Sequence, residues 1–145
     1  MNISKRVSFR FEIGTGNCIR TYSGHTAAVY DCVCSGTYGK ESESLFSCSR
    51  DNTVKMWNVK TGECLKTFEG HEKNVRSLIL TNDNRYLFST SWDYSVKMWD
   101  IRAGKCVATL KGHTKDVNNV CIMSDDSRLF TCSDDNTVIM WCNAQ

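Results

Sequence analysis

Along this chain apolar and polar positions alternate over short stretches, and no stretch holds a helical period over a useful length. The runs "VRSLIL", "RYLFSTS", "SVKMWD" and "CVATL" are rich in β-branched and aromatic residues and are bounded by Asn, Asp, Gly and Ser. A period of two with such boundaries predicts short, half-buried strands. The segments "TNDN" (81–84), "SDDS" (124–127), "KTGE" (60–63) and "RAGK" (102–105) carry the residues that tight turns demand. The pattern therefore predicts an all-β protein.

The strands recur as a unit. "SRDNTVKMWN" at 49–58, "SWDYSVKMWD" at 91–100 and "SDDNTVIMWC" at 133–142 are near-copies that place Trp57, Trp99 and Trp141 42 residues apart. Each follows a Gly-His opening: "GHTAAVYDCV" at 24, "GHEKNVRSLI" at 70 and "GHTKDVNNVC" at 112. Connectors such as "NVKTGECLKTFEG" complete a plan of four short strands per copy. The Gly-His start, the Ser-x-Asp turn and the Trp-Asp-like ending resemble the WD-repeat family, with its period of about 40–45 residues. The resemblance covers residues 24–142 and implies a β-propeller, here a partial one of about three four-stranded blades that does not close as a single chain. The expected divisions are 24–69, 70–111 and 112–145, the last without its final strand. Residues 1–23 form a degenerate partial repeat with a latch strand, in which Phe11 stands where a tryptophan is expected.

Each copy holds His, Ser, Asp and Trp at fixed offsets: His25, Ser49, Asp51 and Trp57; His71, Ser91, Asp93 and Trp99; His113, Ser133, Asp135 and Trp141. Ser, His and Asp together suggest a hydrolase triad, yet three independent triads in 145 residues would be extraordinary. No nucleophile-elbow glycine pattern accompanies them. The resemblance implies a structural tetrad instead, in which the indole N–H donates to the hydroxyl, the hydroxyl bonds the imidazole and the imidazole donates to the carboxylate. All three histidines are used in this way, so none is left as a general base or metal ligand. "GTGNCI" at 14–19 looks faintly like a nucleotide loop but aligns with the connector "KTGECL". No catalytic residue, cofactor or metal is expected.

Composition narrows the partners. The net charge of +2 offers no electrostatic case for nucleic acid or an anionic membrane. No apolar run reaches the roughly 20 residues that cross a bilayer. The start, "MNISKRVSFRFEIG", lacks the apolar core of a signal peptide, and a cytoplasmic or nuclear location is expected. Of the nine cysteines, Cys18, Cys64 and Cys106 share one repeat slot, and Cys48 and Cys132 share another. They are expected to behave as small, mostly buried strand residues, with neither disulfide nor metal.

What differs between the copies is the candidate recognition surface. Trp92 has Arg50 and Asp134 in its slot. The resemblance places these residues on the top face, near the central channel, with the two positions after each Gly-His motif. That face comprises Ala28, Tyr30 and Arg50, then Asn74, Arg76 and Trp92, then Asp116, Asn118 and Asp134. Trp, Tyr and Arg dominate interface energetics, so a peptide or protein partner is expected across Trp92, Tyr30, Arg50 and Arg76. Asp116 and Asp134 favour a basic portion of that partner. The alternatives are a subunit that contacts single-stranded RNA by stacking, and a piece of a larger regulator such as a ubiquitin-ligase substrate adaptor. Three blades leave their outer faces open. They belong to a longer propeller, to a homodimer completing a six-bladed ring, or to an open stack. The first copy also carries a longer loop, "SGTYGKESES" (35–44), expected to be exposed.

Overall fold

A computed structural model describes residues 18–36 and 43–142. The partial repeat before residue 18, including Phe11, lies outside the described residues, as do 37–42 of the long loop and the last three residues. The described chain is all-β, with eleven strands and, among the described residues, no helix. No helix is therefore long and apolar enough to cross a membrane.

The strands form three antiparallel sheets, called blades here. Blade 1 holds β1 (Val29–Ser35), β2 (Ser44–Ser49), β3 (Val54–Asn58) and β4 (Cys64–Phe68) in that order. Blade 2 holds β5 (Val75–Leu80), β6 (Tyr86–Ser91), β7 (Ser95–Asp100) and β8 (Lys105–Lys111). Blade 3 holds three strands among the described residues: β9 (Val117–Ile122), β10 (Arg128–Ser133) and β11 (Val138–Cys142). Within each blade every strand pairs with its sequence neighbour, and most of the connecting turns are tight. Asn84 and Asp126 take left-handed φ values of 55° and 57° in the turns "TNDN" and "SDDS", which Asn and Asp tolerate. Gly62 and Gly104 do so at φ 80° and 68° in "KTGE" and "RAGK". Asn58 and Asp100 hold these last two turns, each side chain accepting backbone N–H groups.

The blades stack through their inner strands, β1 on β5 and β5 on β9. The central strands bury both faces. Phe46, Val54, Phe68, Val75, Leu87 and Trp99 form a core between blades 1 and 2. Val96, Val117, Val120 and Leu129 continue it between blades 2 and 3. A polar ladder joins the blades at their inner edge. Asp31 Oδ2 accepts from Ser77 Oγ at 2.9 Å and from the Leu78 amide at 3.0 Å, and Ser77 Oγ also reaches Asn119 Oδ1 at 2.9 Å.

Cysteine departs from the sequence expectation. All nine are free, and only Cys48 is buried, with Cys132 half-buried; the other seven are exposed. The reason is position: Cys18, Cys64 and Cys106 lie on outer edges, and Cys32, Cys34 and Cys121 lie on inner strands. Burial pushes the Cys48 thiol up to about 12, so it carries no thiolate chemistry.

Candidate functional site

Two constellations need placing: the repeated polar groups and the non-repeated top face. In blade 1 the Trp57 indole N–H donates to Ser47 Oγ at 2.8 Å. The same hydroxyl lies 2.8 Å from His25 Nε2, and His25 Nδ1 lies 2.8 Å from Asp51 Oδ2. Blade 2 repeats this through Trp99, Ser89, His71 and Asp93 at 2.8, 2.7 and 2.7 Å. Blade 3 uses Trp141, Thr131, His113 and Asp135 at 2.9, 2.9 and 2.7 Å. A hydroxyl has one proton. Accepting from the indole, it donates to Nε2, which leaves Nδ1–H to donate to the carboxylate.

The hydroxyl is thus not the expected one. Ser47, Ser89 and Thr131 fill the role assigned from sequence to Ser49, Ser91 and Ser133. Register is the cause. Trp57 pairs across from Leu45, and its ring reaches diagonally two residues along the same face, to Ser47. Ser49 lies a further two residues away at the strand end. It does different work there: Ser49 Oγ donates to the Ala27 carbonyl at 3.2 Å and accepts the Asp51 amide at 3.0 Å. Ser91 and Ser133 do the same with Lys73 and Lys115. They tie the β2–β3 type of turn to the loop that leads into the inner strand of the same blade.

The aspartates organise those turns. Asp51 Oδ1 accepts from the Thr53 hydroxyl and amide, while Oδ2 accepts from His25 and the Thr26 amide. Burial pushes its carboxyl up, but these four donors outweigh it and hold the group at about 2. Burial likewise opposes ionisation of Asp93, and the His71 ring with the Ser95 hydroxyl holds it well below the usual range. The Thr137 hydroxyl, above all, does so for Asp135. The carboxylate oxygens named here are occupied by donors of the same blade, and the Ser47, Ser89 and Thr131 hydroxyls are buried. Gly24 and Gly70 precede the histidines because a Cβ there would meet the tryptophan ring at 3.1 and 3.4 Å.

The top face is built from backbone irregularities. In the inner hairpin of blade 1 Val29 pairs with Ser49 and Asp31 with Cys48, so Tyr30 is an unpaired bulge residue. Arg76 and Asn118 are bulged in the same way in blades 2 and 3. A β-bulge re-aims the side chain it carries. Tyr30, stacked on Trp92 with centroids 6.3 Å apart and planes at 30°, is covered on its face by the Arg76 guanidinium at 4.8 Å. Three candidate residues from two blades thus form one half-buried stack. The Trp92 indole N–H is buried with no acceptor among the described residues. Backbone bonds from Arg50, Trp92 and Asp134 N–H to the Ala28, Asn74 and Asp116 carbonyls place those six residues along one rim. In blade 3 the Asn118 amide donates to Asp134, giving an acidic corner beside Asp116. Arg50 and Ala28 are exposed on that rim and are not part of the stack.

A groove also lies away from this face. About 320 Å³ between blades 2 and 3 is lined by Phe88, Met98, Leu110, Ile122, Leu129 and Trp141, at the end of the strands opposite Trp92. Among the described residues no group of three or more His, Cys, Asp or Glu side chains is arranged to hold a metal ion.

Consecutive antiparallel blades, each pinned by an indole–hydroxyl–imidazole–carboxylate chain, define a β-propeller segment of the repeat class. The family model described as WD domain, G-beta repeat matches residues 16–58, 62–100 and 104–142, and the chain belongs to that family. The second and third matches start ahead of their blades, with the segments that form β4 and β8, the outer strands of the blades before them. A search of curated proteins returned no match. Proteins with these repeats generally mediate protein–protein interaction.

Proposed function

We propose that the chain is a non-enzymatic interaction scaffold that holds a peptide or protein segment across the Tyr30–Arg76–Trp92 stack. The observation that carries the reading is the bulge geometry. It spends regular pairing to aim Tyr30 and Arg76 onto a face where they meet Trp92. Aromatic and arginine groups held in one place are the usual anchors of binding energy. Arg50 and Asn74 extend the surface along the rim. Asp116, Asn118 and Asp134 supply acceptors for a basic part of the partner, with the Asn118–Asp134 bond fixing one carboxylate.

The same stack suits unpaired bases, but the acidic corner opposes a phosphate backbone. Capture on an immobilised library of lysine- and arginine-containing peptides, read for wild type, Trp92→Ala and Arg76→Ala, tests the reading. Loss of capture in both variants is expected. Unchanged capture in both refutes the placement. Binding of random RNA that weakens steeply with salt transfers the stack to nucleic acid.

A further inference from the structure

The two ends of the blade stack expose the positions that the two internal blade interfaces bury. Val75 and Val117, which open the inner strands of blades 2 and 3, are fully buried, whereas their counterpart Val29 in blade 1 is 53% exposed. Val54 in β3 and Val96 in β7 are fully buried, whereas their counterpart Val138 in β11 is 68% exposed. One end therefore shows a blade's leading face and the other its trailing face, and internal interfaces join those two faces.

The backbone shows the same complementarity. Residues 18–24 pair with no strand among the described residues, yet they sit on blade 1 as β4 sits on blade 2. Tyr22 packs edge-on against Trp57 at 6.1 Å, as Phe68 packs against Trp99 at 5.7 Å. Arg20 donates to the Thr61 carbonyl in the β3–β4 turn, as Lys66 donates to the Ile101 and Arg102 carbonyls in the β7–β8 turn. Residues 18–24 thus occupy the place of an outer strand that has no sheet partner among the described residues. β11 is the reverse: a third strand with no outer neighbour among the described residues.

We propose that a second copy of this chain supplies the missing partner. Residues 18–24 of one copy pair with β11 of the other, and its blade 1 covers blade 3. The full blades fix the register. Trp57 pairs with Cys64, Met56 with Lys66, Lys55 with Thr67 and Val54 with Phe68, and blade 2 is paired alike. By the same register Trp141 faces Cys18, Met140 faces Arg20, Ile139 faces Thr21 and Val138 faces Tyr22, with Ile19 bulged outward as Leu65 and Val107 are. No segment has to move. Residues 18–24 stay on their own blade 1, just as β4 belongs to blade 1 while touching blade 2. At the inner edge Asn119 comes to face Asp31, an amide donor opposite a carboxylate. Propellers close with about 4–8 blades, and six is the multiple of three in that range. Two reciprocal contacts then form one closed symmetric dimer. The inference is independent of the top-face reading, since neither valine lies on that face.

The test is sedimentation equilibrium of the full chain under reducing conditions, for wild type, Val29→Asp and Val138→Asp. Both valines are exposed in a single copy, so the variants keep their blades, which urea unfolding checks. A charge at either one would be buried unpaired in the dimer. The expected result is twice the 16.5 kDa chain mass for wild type and single-chain mass for both variants. Ile139→Lys serves as a second probe, because Lys55 and Lys97 at that slot donate to Thr67 and Thr109. It should remain dimeric. A monomeric wild type overturns the proposal. So does a trimer, a filament, or a dimer that survives either aspartate.

Discussion

Ser89 carries one hydroxyl for two buried neighbours, the Trp99 indole and the His71 ring. Ser89→Ala strands both at about 1–3 kcal/mol each, so about 2–6 kcal/mol is expected from urea unfolding. Ser91→Ala removes a turn tie and should cost about 1 kcal/mol. Thr131 already plays the hydroxyl role in blade 3, so Ser89→Thr should cost less than Ser89→Ala. This choice between neighbouring hydroxyls was not legible in the sequence. "FSCS", "FSTS" and "FTCS" all offer a hydroxyl at both positions, and only the diagonal reach of the indole selects between them. Tyr94 is another local departure, holding φ 69° where Asn52 and Asn136 stand in the other copies. A left-handed bulky residue costs about 1–2 kcal/mol. The Lys73 ammonium, 4.9 Å from the ring centroid, offsets about 0.5–1 of that. Tyr94→Asn should therefore stabilise the protein by about 0.5–1 kcal/mol, raising the urea midpoint.

At the scale of strands and turns, the three aspartates couple fold to pH. Asp51 has an ordinary value of 3.8 and sits at about 2 when folded; Asp93 and Asp135 are displaced the same way. Folded groups with depressed values bind fewer protons than the unfolded chain, so their stabilisation is complete above about pH 5. It fades as pH falls through about 4; the share of Asp51 is largely gone at about 2, and those of Asp93 and Asp135, held lower still, persist to more acid pH. Urea midpoints at pH 7, 4 and 3 should fall in that order, and Asp93→Asn should flatten the decline. The inner-edge ladder gives a second element-level test. Asp31→Ala should expose the Leu78 amide to faster hydrogen exchange while the amides of β10 and β11 keep their protection. The strands themselves were legible, because alternation and turn residues agree along the whole repeat. The bulges were not, since a bulge is a mismatch between two strands and neither strand announces it alone. Yet the slots they re-aim, Tyr30, Arg76 and Asn118, are among the nine that differ between the copies.

For the whole molecule, a division of labour follows from repetition. What recurs in every blade is consumed inside it, with donors and acceptors paired to one another. What differs is displayed at the rim, where Tyr30, Arg76 and Trp92 stack beside an acidic corner. The blade count was legible from the spacing of the tryptophans. The complementarity of the ends was not, because it resides in exposure: Val29 and Val138 read like every other valine of their slots until the neighbouring blade is found absent from their faces. The division itself is tested by measuring, in the same samples, urea midpoint and affinity for the tightest peptide from the basic library. His71→Gln, which disturbs a repeated group, should lower the midpoint while the remaining folded protein binds as wild type does. Trp92→Ala should weaken binding about 30-fold or more, the scale of an anchoring residue, with a smaller change in midpoint. The reverse pattern, binding lost with His71 in a fully stable protein and retained without Trp92, would contradict the account.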